Sequence, residues 1–382
     1  MAERTGKNIG IVGGGIGGIA AAVALHQIGA DVTVYERSVE LREVGAGMML
    51  WPNATRVLRE LGLLEQVVAR SGRNARFLVR KSTGKILMSI ALGQFEVPAV
   101  CMRRADLLSI LLGALPKECL RLGCEFERLK QSNSEVRLYF EDGEEVGHDA
   151  VIGADGIRSR IRAQLFGISD PIYRGYTVWR GLAGYDGHAI TPGSNSESWG
   201  RGMRFGILNT GHRRFTWYAT ANVGGHHLES TSDRKHELQQ LFSGWHEPVA
   251  DFLEATPEGE ILKNGARDCA PLKEWGKGLV TLLGDAAHPC TPNLGQGGCM
   301  ALEDALVLAK SIKSETSLRP ALRRYESRRI NRTRHIQQRS LLMGQIGQWQ
   351  NPIFVTGRHI VTRMLPAKIF ERNLRRVYSY QT

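Results

Sequence analysis

Six glycines between Gly10 and Gly18 constrain this chain more than any other feature of its sequence. Asn8-Ile9-Gly10-Ile11-Val12 is a short apolar run suited to a buried parallel strand. Gly13-Gly14-Gly15-Ile16-Gly17-Gly18 follows it, with glycine at every fixed position of G-x-G-x-x-G. Ala20 to Ile28 has helix composition and stops at Gly29, and Asp31–Glu36 is a second strand ending in an acid. The order carries a mechanism. Gly13 permits the tight turn, Gly15 lets backbone approach a pyrophosphate, and Gly18 lets helix and strand pack closely. The helix N-terminus then faces the phosphates. Glu36 stands where a carboxylate accepts from a ribose 2′-hydroxyl and repels a 2′-phosphate. The opening residues specify a dinucleotide-binding βαβ unit.

The same glycines argue against a membrane anchor. Ile9 to Leu25 is uncharged and near the lower limit of spanning length, but the glycines sit where a helix would need strength. No small-residue cleavage site follows, so a soluble, cytoplasmic protein is expected. Six cysteines form no CxxC pair and no metal-ligand spacing, which implies free thiols and no metal centre. Charge is distributed unevenly. Residues 311–382 hold 15 Lys or Arg against 3 Asp or Glu, while residues 1–310 hold 35 of each sign. The whole net charge of +12 therefore lies in the C-terminal segment. That pattern favours a local anionic partner or a solvated basic helix over nucleic acid.

Four further segments narrow the dinucleotide. Arg42 to Asn53 is rich in small residues, and Gly47 and Met49 let backbone run beside a flat ring system. Cys101 to Leu108 places Arg104 at the start of an apolar helix. Val151 to Ser159 is a strand ending in Asp155-Gly156. Leu279 to Leu283 is a strand that delivers Gly284-Asp285, followed by Pro292 to Gly298 and a helix through Ala309. Together these segments resemble the single-component FAD-dependent monooxygenases with the para-hydroxybenzoate hydroxylase fold. Trp51-Pro52-Asn53 and Gly295-Gln296-Gly297-Gly298-Cys299 are most similar to the urate-hydroxylase, salicylate-hydroxylase and zeaxanthin-epoxidase branches.

The resemblance implies roles for individual positions. Glu36 would hold the adenosine ribose with Arg37 beside the adenine, and Arg104 would reach the ribose or pyrophosphate. Leu129 would touch adenine through its backbone, Asp155 would engage FAD, and Asp285 would accept from the ribityl chain. Pro292, Gly295, Gln296, Gly297 and Gly298 would pass over the isoalloxazine. It also implies a reaction: NADPH or NADH reduces FAD, and O2 then forms a flavin hydroperoxide that hydroxylates or epoxidises an aromatic or lipophilic small molecule. A flavin-dependent reductase and a non-catalytic escort protein are the alternatives on the same fold.

Between Asp155 and Gly284 the pattern changes from strand–helix alternation to consecutive strands. Phe215, Trp217, Ala219, Ala221 and Val223 alternate with Thr216, Tyr218, Thr220 and Asn222, giving one apolar and one polar face. Met203 to Leu208 precedes them across an Asn209–His212 turn, which predicts an antiparallel hairpin. Arg204, an arginine amid apolar strand neighbours, needs an acceptor. The urate-hydroxylase branch has a substrate-binding arginine there, with a tyrosine where this chain has Thr216, so Arg204 and Tyr218 are the catalytic candidates. The other reading of Arg204 is a surface residue on a sheet edge.

The expected architecture is α/β: a Rossmann-like FAD-binding domain interleaved with a mostly antiparallel-sheet substrate domain and C-terminal helices. Residues 1–172 and 273–320 form the first, interrupted by substrate-domain strands near 73–100. Residues 173–272 form the second, and 321–382 the basic helices. The chain would be a monomer or homodimer, and its basic end either packs behind both domains or rests on an anionic membrane.

Overall fold

The computed structural model describes residues 6–41, 46–93, 95–167, 170–223 and 233–380. Arg42 to Gly45, the first part of the small-residue stretch, lie outside them. The opening motif folds as its spacing requires. Asn8–Val12 is a strand parallel to Asp31–Glu36, and the helix between them spans Ile16–Gln27. That helix begins earlier than the Ala20 start expected from composition, because the glycines of its first turn pack against neighbours. A Cβ on Gly18 would lie 1.9 Å from the Gly13 carbonyl oxygen, and Gly13 itself has φ +112°. Only glycine permits that turn.

The sheet built on this unit has six strands, in the order Gly276–Lys277, Val280–Leu282, Ala150–Gly153, Asn8–Val12, Asp31–Glu36 and Leu120–Leu122. All its pairings are parallel except that of Gly276–Lys277. The alanine-rich Ile16–Gln27 helix is buried from Gly18 to Leu25. It packs beside the Gly297–Ser314 helix, where a Cβ on Gly17 would meet Ala301 at 3.2 Å. The two N-terminal turns therefore begin side by side.

A second sheet of seven strands covers this layer, in the order Leu262–Asp268, Ile172–Gly184, Arg214–Ala221, Met203–Gly211, Ser194–Trp199, Arg76–Lys81 and Ile86–Ala91. It is antiparallel apart from the pairing of Ser194–Trp199 with Arg76–Lys81. The expected hairpin forms, but its turn lies two residues later than expected. Strand pairing continues through Gly211, and His212 and Arg213 take positive φ. Register sets Gly206 opposite Tyr218 and Arg204 opposite Thr220. Phe205, Phe215, Trp217 and Ala219 form a core with Leu238 and Phe252 of two covering helices and with Phe242 just past the first of them. Thr216, Tyr218, Thr220 and Arg204 point the opposite way, toward the parallel-sheet layer.

The Leu318–Gly347 helix lies behind both layers. Its apolar stripe is interrupted because Arg329 occupies a core position, 0% exposed, bonded to Glu303 and Asp304 of the Gly297–Ser314 helix at 2.5 and 2.6 Å. Arg332 adds two bonds to Glu303. Arg329 and Arg332 of this helix therefore point inward, while Arg319, Arg324 and Arg328 remain exposed. Among the described residues no helix is long and apolar enough to cross a membrane, and no His, Cys, Asp and Glu cluster could hold a metal ion.

Candidate active site

The first strand delivers Gly13-Gly14-Gly15 to the edge of a cleft. The Ile16–Gln27 helix opens there with Gly15 as its cap, no side chain on its first amides and no acid in its first turn. A Cβ on Gly15 would meet nothing within 4 Å, so this backbone stands open to the cleft. Glu36, at the end of the adjacent strand, accepts from Gly14 N at 2.7 Å and Ser38 N at 3.0 Å. These residues, with Glu40, Leu41 and Leu108, line a cavity of about 150 Å³. Arg37 is exposed beside Glu36.

The Gly297–Ser314 helix opens onto the same cleft, again without a side-chain cap or an acid in its first turn. Pro292 and Gly295 are exposed on the loop before it, and Gly295 has φ +59°. Gln296 is 1% exposed, and its Oε1 accepts from Asn53 Nδ2 at 3.0 Å while its Nε2 has no partner. Gly297 and Gly298 are half-buried at the helix start. Asp285 is solvent-accessible yet densely surrounded by protein atoms. Burial pushes its pKa up, and His288, Arg104 and Arg162 pull it back. Its carboxylate accepts no hydrogen bond from the described residues.

The fit to a dinucleotide follows. Two uncapped helix N-termini supply unpaired N–H groups and partial positive charge for an anionic group. Asp285 supplies a free acceptor, and Glu36 borders a cavity. A flavin dinucleotide has an anionic centre, a polyhydroxyl chain and a ribose for these three features.

Other candidates are placed differently. Leu129 is buried, and its N–H and carbonyl both bond the Gln164 side chain, at 2.9 and 2.6 Å. Asp155 accepts from Ser159 Oγ at 2.5 Å and Ile161 N at 3.2 Å, ordering the start of the Arg160–Phe166 helix. Met49 is 7% exposed and its carbonyl meets Cys299 Sγ. Gly47 N donates to Thr216 Oγ1 at 2.9 Å, which ties the covering sheet to the layer below. Cys299 is an inert packing thiol, since burial pushes its pKa to about 12.

Arg204 is 4% exposed on an interior strand, so it is not an edge residue. Nε donates to Gln348 Oε1 at 2.9 Å, Nη1 to Glu197 Oε1 at 3.1 Å and Nη2 to Asn293 Oδ1 at 2.6 Å. Two of its five N–H groups remain. Tyr218 lies over Gly206, where a Cβ would be 2.1 Å from its ring. Burial first, and Glu197 second, push its hydroxyl pKa well above 10, so it stays protonated. Arg180, directly opposite Tyr218, faces the same side, and burial and Arg104 lower its pKa. Sequence reasoning missed Glu197, Gln348 and Arg180. The acceptors of Arg204 come from three separate elements, and only the demand for an acceptor was visible locally.

A dinucleotide fold with a polar, roofed cleft at its glycine turn is the architecture of FAD-dependent monooxygenases. The family model described as FAD binding domain matches residues 7–178 and 198–340. The aurachin C monooxygenase/isomerase of Stigmatella aurantiaca is 36% identical over 377 residues, covering 98% of each chain. A FAD-dependent urate hydroxylase of Klebsiella pneumoniae is 31% identical over 337 residues, covering 85% of this chain and 86% of that one. The crystal structure of Klebsiella pneumoniae HpxO complexed with FAD and uric acid superposes with a TM-score of 0.92 at 26% identity, over 97% of both chains. The chain belongs to the FAD-binding-domain family. Its cofactor is FAD, and it is an oxidoreductase of the monooxygenase class.

Proposed function

We propose that the chain uses NADPH or NADH and O2 in the cytoplasm to place one oxygen atom on an aromatic or heteroaromatic small molecule. The substrate would lie between the Pro292–Gln296 loop and the underside of the seven-stranded sheet. The observation that carries this reading is the meeting of two uncapped helix N-termini and the open Asp285 carboxylate beneath a polar sheet face. Bound FAD supplies hydride acceptance and oxygen activation.

The chain's own residues orient, neutralise and exclude water. Gly13, Gly15 and Gly18 shape the turn for the pyrophosphate, and Glu36 would accept from the ribose. Asp285 would accept from the ribityl hydroxyls, with Arg104 acting on it electrostatically. The amides at Gly297 and Gly298 would supply partial positive charge to the flavin ring. The sheet above keeps the reacting centre dry, with Arg204 and the protonated Tyr218 as donors to the substrate. The nicotinamide is met transiently at the open side of the cleft.

The pairing of Arg204 with Glu197 defines the substrate further. The guanidinium charge is already balanced inside the protein, with side chains 5% and 10% exposed. A second carboxylate or enolate bound at Arg204 would have to share that guanidinium with Glu197. The favoured substrate is neutral, with a carbonyl or hydroxyl for the remaining donors and an apolar body.

Two variants test these assignments. Asp285→Ala should weaken FAD binding by about 10- to 100-fold, from loss of a charged hydrogen bond of about 1.5–3 kcal/mol. Unchanged FAD affinity in a titration of the apoprotein would remove that role. Glu197→Gln should free the Arg204 charge and shift relative turnover toward anionic substrates by roughly tenfold or more. A neutral heteroaromatic compound and its carboxylate derivative make a suitable pair. An unaltered preference between them would contradict the neutral-substrate reading.

A further inference from the structure

The helix Pro352–Met364 has its polarity reversed. Its inner face carries Arg358, 5% exposed, whose guanidinium donates to the carbonyls of Ile346, Gly347 and Gly200 and stands 5.0 Å over the Trp199 ring. Its outer face carries Ile353 at 77%, Ile360 at 52%, Val361 at 55% and Met364 at 76% exposure. An ordinary surface helix buries its isoleucines and exposes its arginines. Of the eleven exposed large apolar side chains among the described residues, these four, Phe354 and Ile369 lie on the last two helices. A patch so concentrated marks an interaction surface.

Charge identifies the occupant. Arg363, Lys368 and Arg372 are exposed around the patch. After Glu326 the sequence holds one acid, Glu371, whose Oε1 accepts from Ala91 N. A second copy of the chain would bring these cations together across an apolar seam, which disfavours a homodimer here. A surface of anionic phospholipid headgroups complements both the cations and the apolar side chains.

We propose that the Pro352–Met364 helix, extended by Ala367–Tyr378, lies in the interface of an anionic membrane, with Ile353, Ile360 and Met364 inserted and Arg363, Lys368 and Arg372 among the headgroups. Such a helix rests in the interface plane and does not span it. Each basic residue adds roughly fivefold to partitioning, and salt weakens it. Position links the surface to the cleft. The helix follows directly on Gln348, the acceptor of Arg204 Nε, and Arg358 ties it to Gly200 beside the same strand pair. A lipophilic substrate would be received from the bilayer near the roofed chamber. The membrane contact itself does not depend on the oxygenase reading.

The test is sedimentation of the FAD-loaded protein with vesicles of phosphatidylcholine containing phosphatidylglycerol, and with phosphatidylcholine alone, at low and moderate salt. The protein should pellet with the anionic vesicles at low salt and much less in the other conditions. The double variant Ile353→Glu/Met364→Glu changes two exposed side chains, so FAD content and melting should hold while vesicle binding falls roughly tenfold or more. Arg363→Glu should reduce it by a smaller factor. Absence from the anionic pellet, or binding that survives the double variant, would overturn the proposal. So would light scattering that shows a dimer in free solution which the double variant dissociates, since that assigns the face to a second copy.

Discussion

Replacing Arg329 with methionine is expected to cost about 3–5 kcal/mol of folding stability, the range for removing one partner of a buried ion pair. The guanidinium is wholly buried and bonds Glu303, Asp304 and the Met300 carbonyl. Its loss leaves two carboxylates, each 0% exposed, with diminished compensation. Lysine should not restore stability, because one ammonium cannot serve carboxylates on two residues as the planar fork does. Acid sensitivity should change as well. Burial raises the Asp304 carboxyl, but His288 and Arg329 outweigh it and hold its pKa at about 2. A depressed carboxylate stabilises the fold above its unfolded value near 4 and loses that contribution as pH falls toward 2. Wild type should therefore lose stability progressively below about pH 4, and Arg329→Met, in which that depression is relieved, should lose less over the same range. Denaturant titrations across pH read both effects. A loss under about 1 kcal/mol at neutral pH would contradict the account of this network.

Gly18→Ala and Gly15→Ala should separate folding from cofactor binding. The Gly18 methyl would stand 1.9 Å from the Gly13 carbonyl oxygen, a backbone atom that cannot rotate aside. The helix must shift, and with it the turn, so soluble yield and FAD content should both fall severely. Gly15 has φ −71°, which alanine accepts, and its methyl would touch no protein atom. That variant should melt near wild type without cofactor while binding FAD roughly tenfold or more weakly, because the methyl occupies the approach to the pyrophosphate. Equal FAD affinity in Gly15→Ala would place the pyrophosphate elsewhere.

The contrast between these sites explains what the sequence could reveal. The glycine turn is local: strand, turn, helix and acid lie within the first forty residues, and each has a steric or electrostatic reason for its place. The alternating Phe215–Ala221 strand was legible for the same reason, since a period of two states which residues share a face. The hairpin turn was misplaced because Asn209 and Gly211 have turn composition, yet pairing runs on through Gly211. The surroundings of Arg204 were not legible. Gln348 is 144 residues away and Asn293 is 89, and no local pattern announces which polar groups will share a buried chamber. Arg329 illustrates the same limit. Its place in the helix looks like a break in an apolar stripe until Glu303 and Asp304 are seen opposite. Leu129 is a further case: its bonding partner Gln164 lies 35 residues away, and no local pattern pairs the two.

The central claim is oxygen insertion by a FAD enzyme, and turnover under isotopically heavy O2 tests it most directly. The FAD-loaded protein, NADPH or NADH, and a panel of neutral heteroaromatic compounds with an apolar substituent would be incubated, and the products weighed by mass spectrometry. The account predicts a product carrying one heavy oxygen atom, with O2 consumed in step with NAD(P)H and only when a substrate is present. A product formed equally well without O2, or one whose new oxygen comes from water, would contradict it.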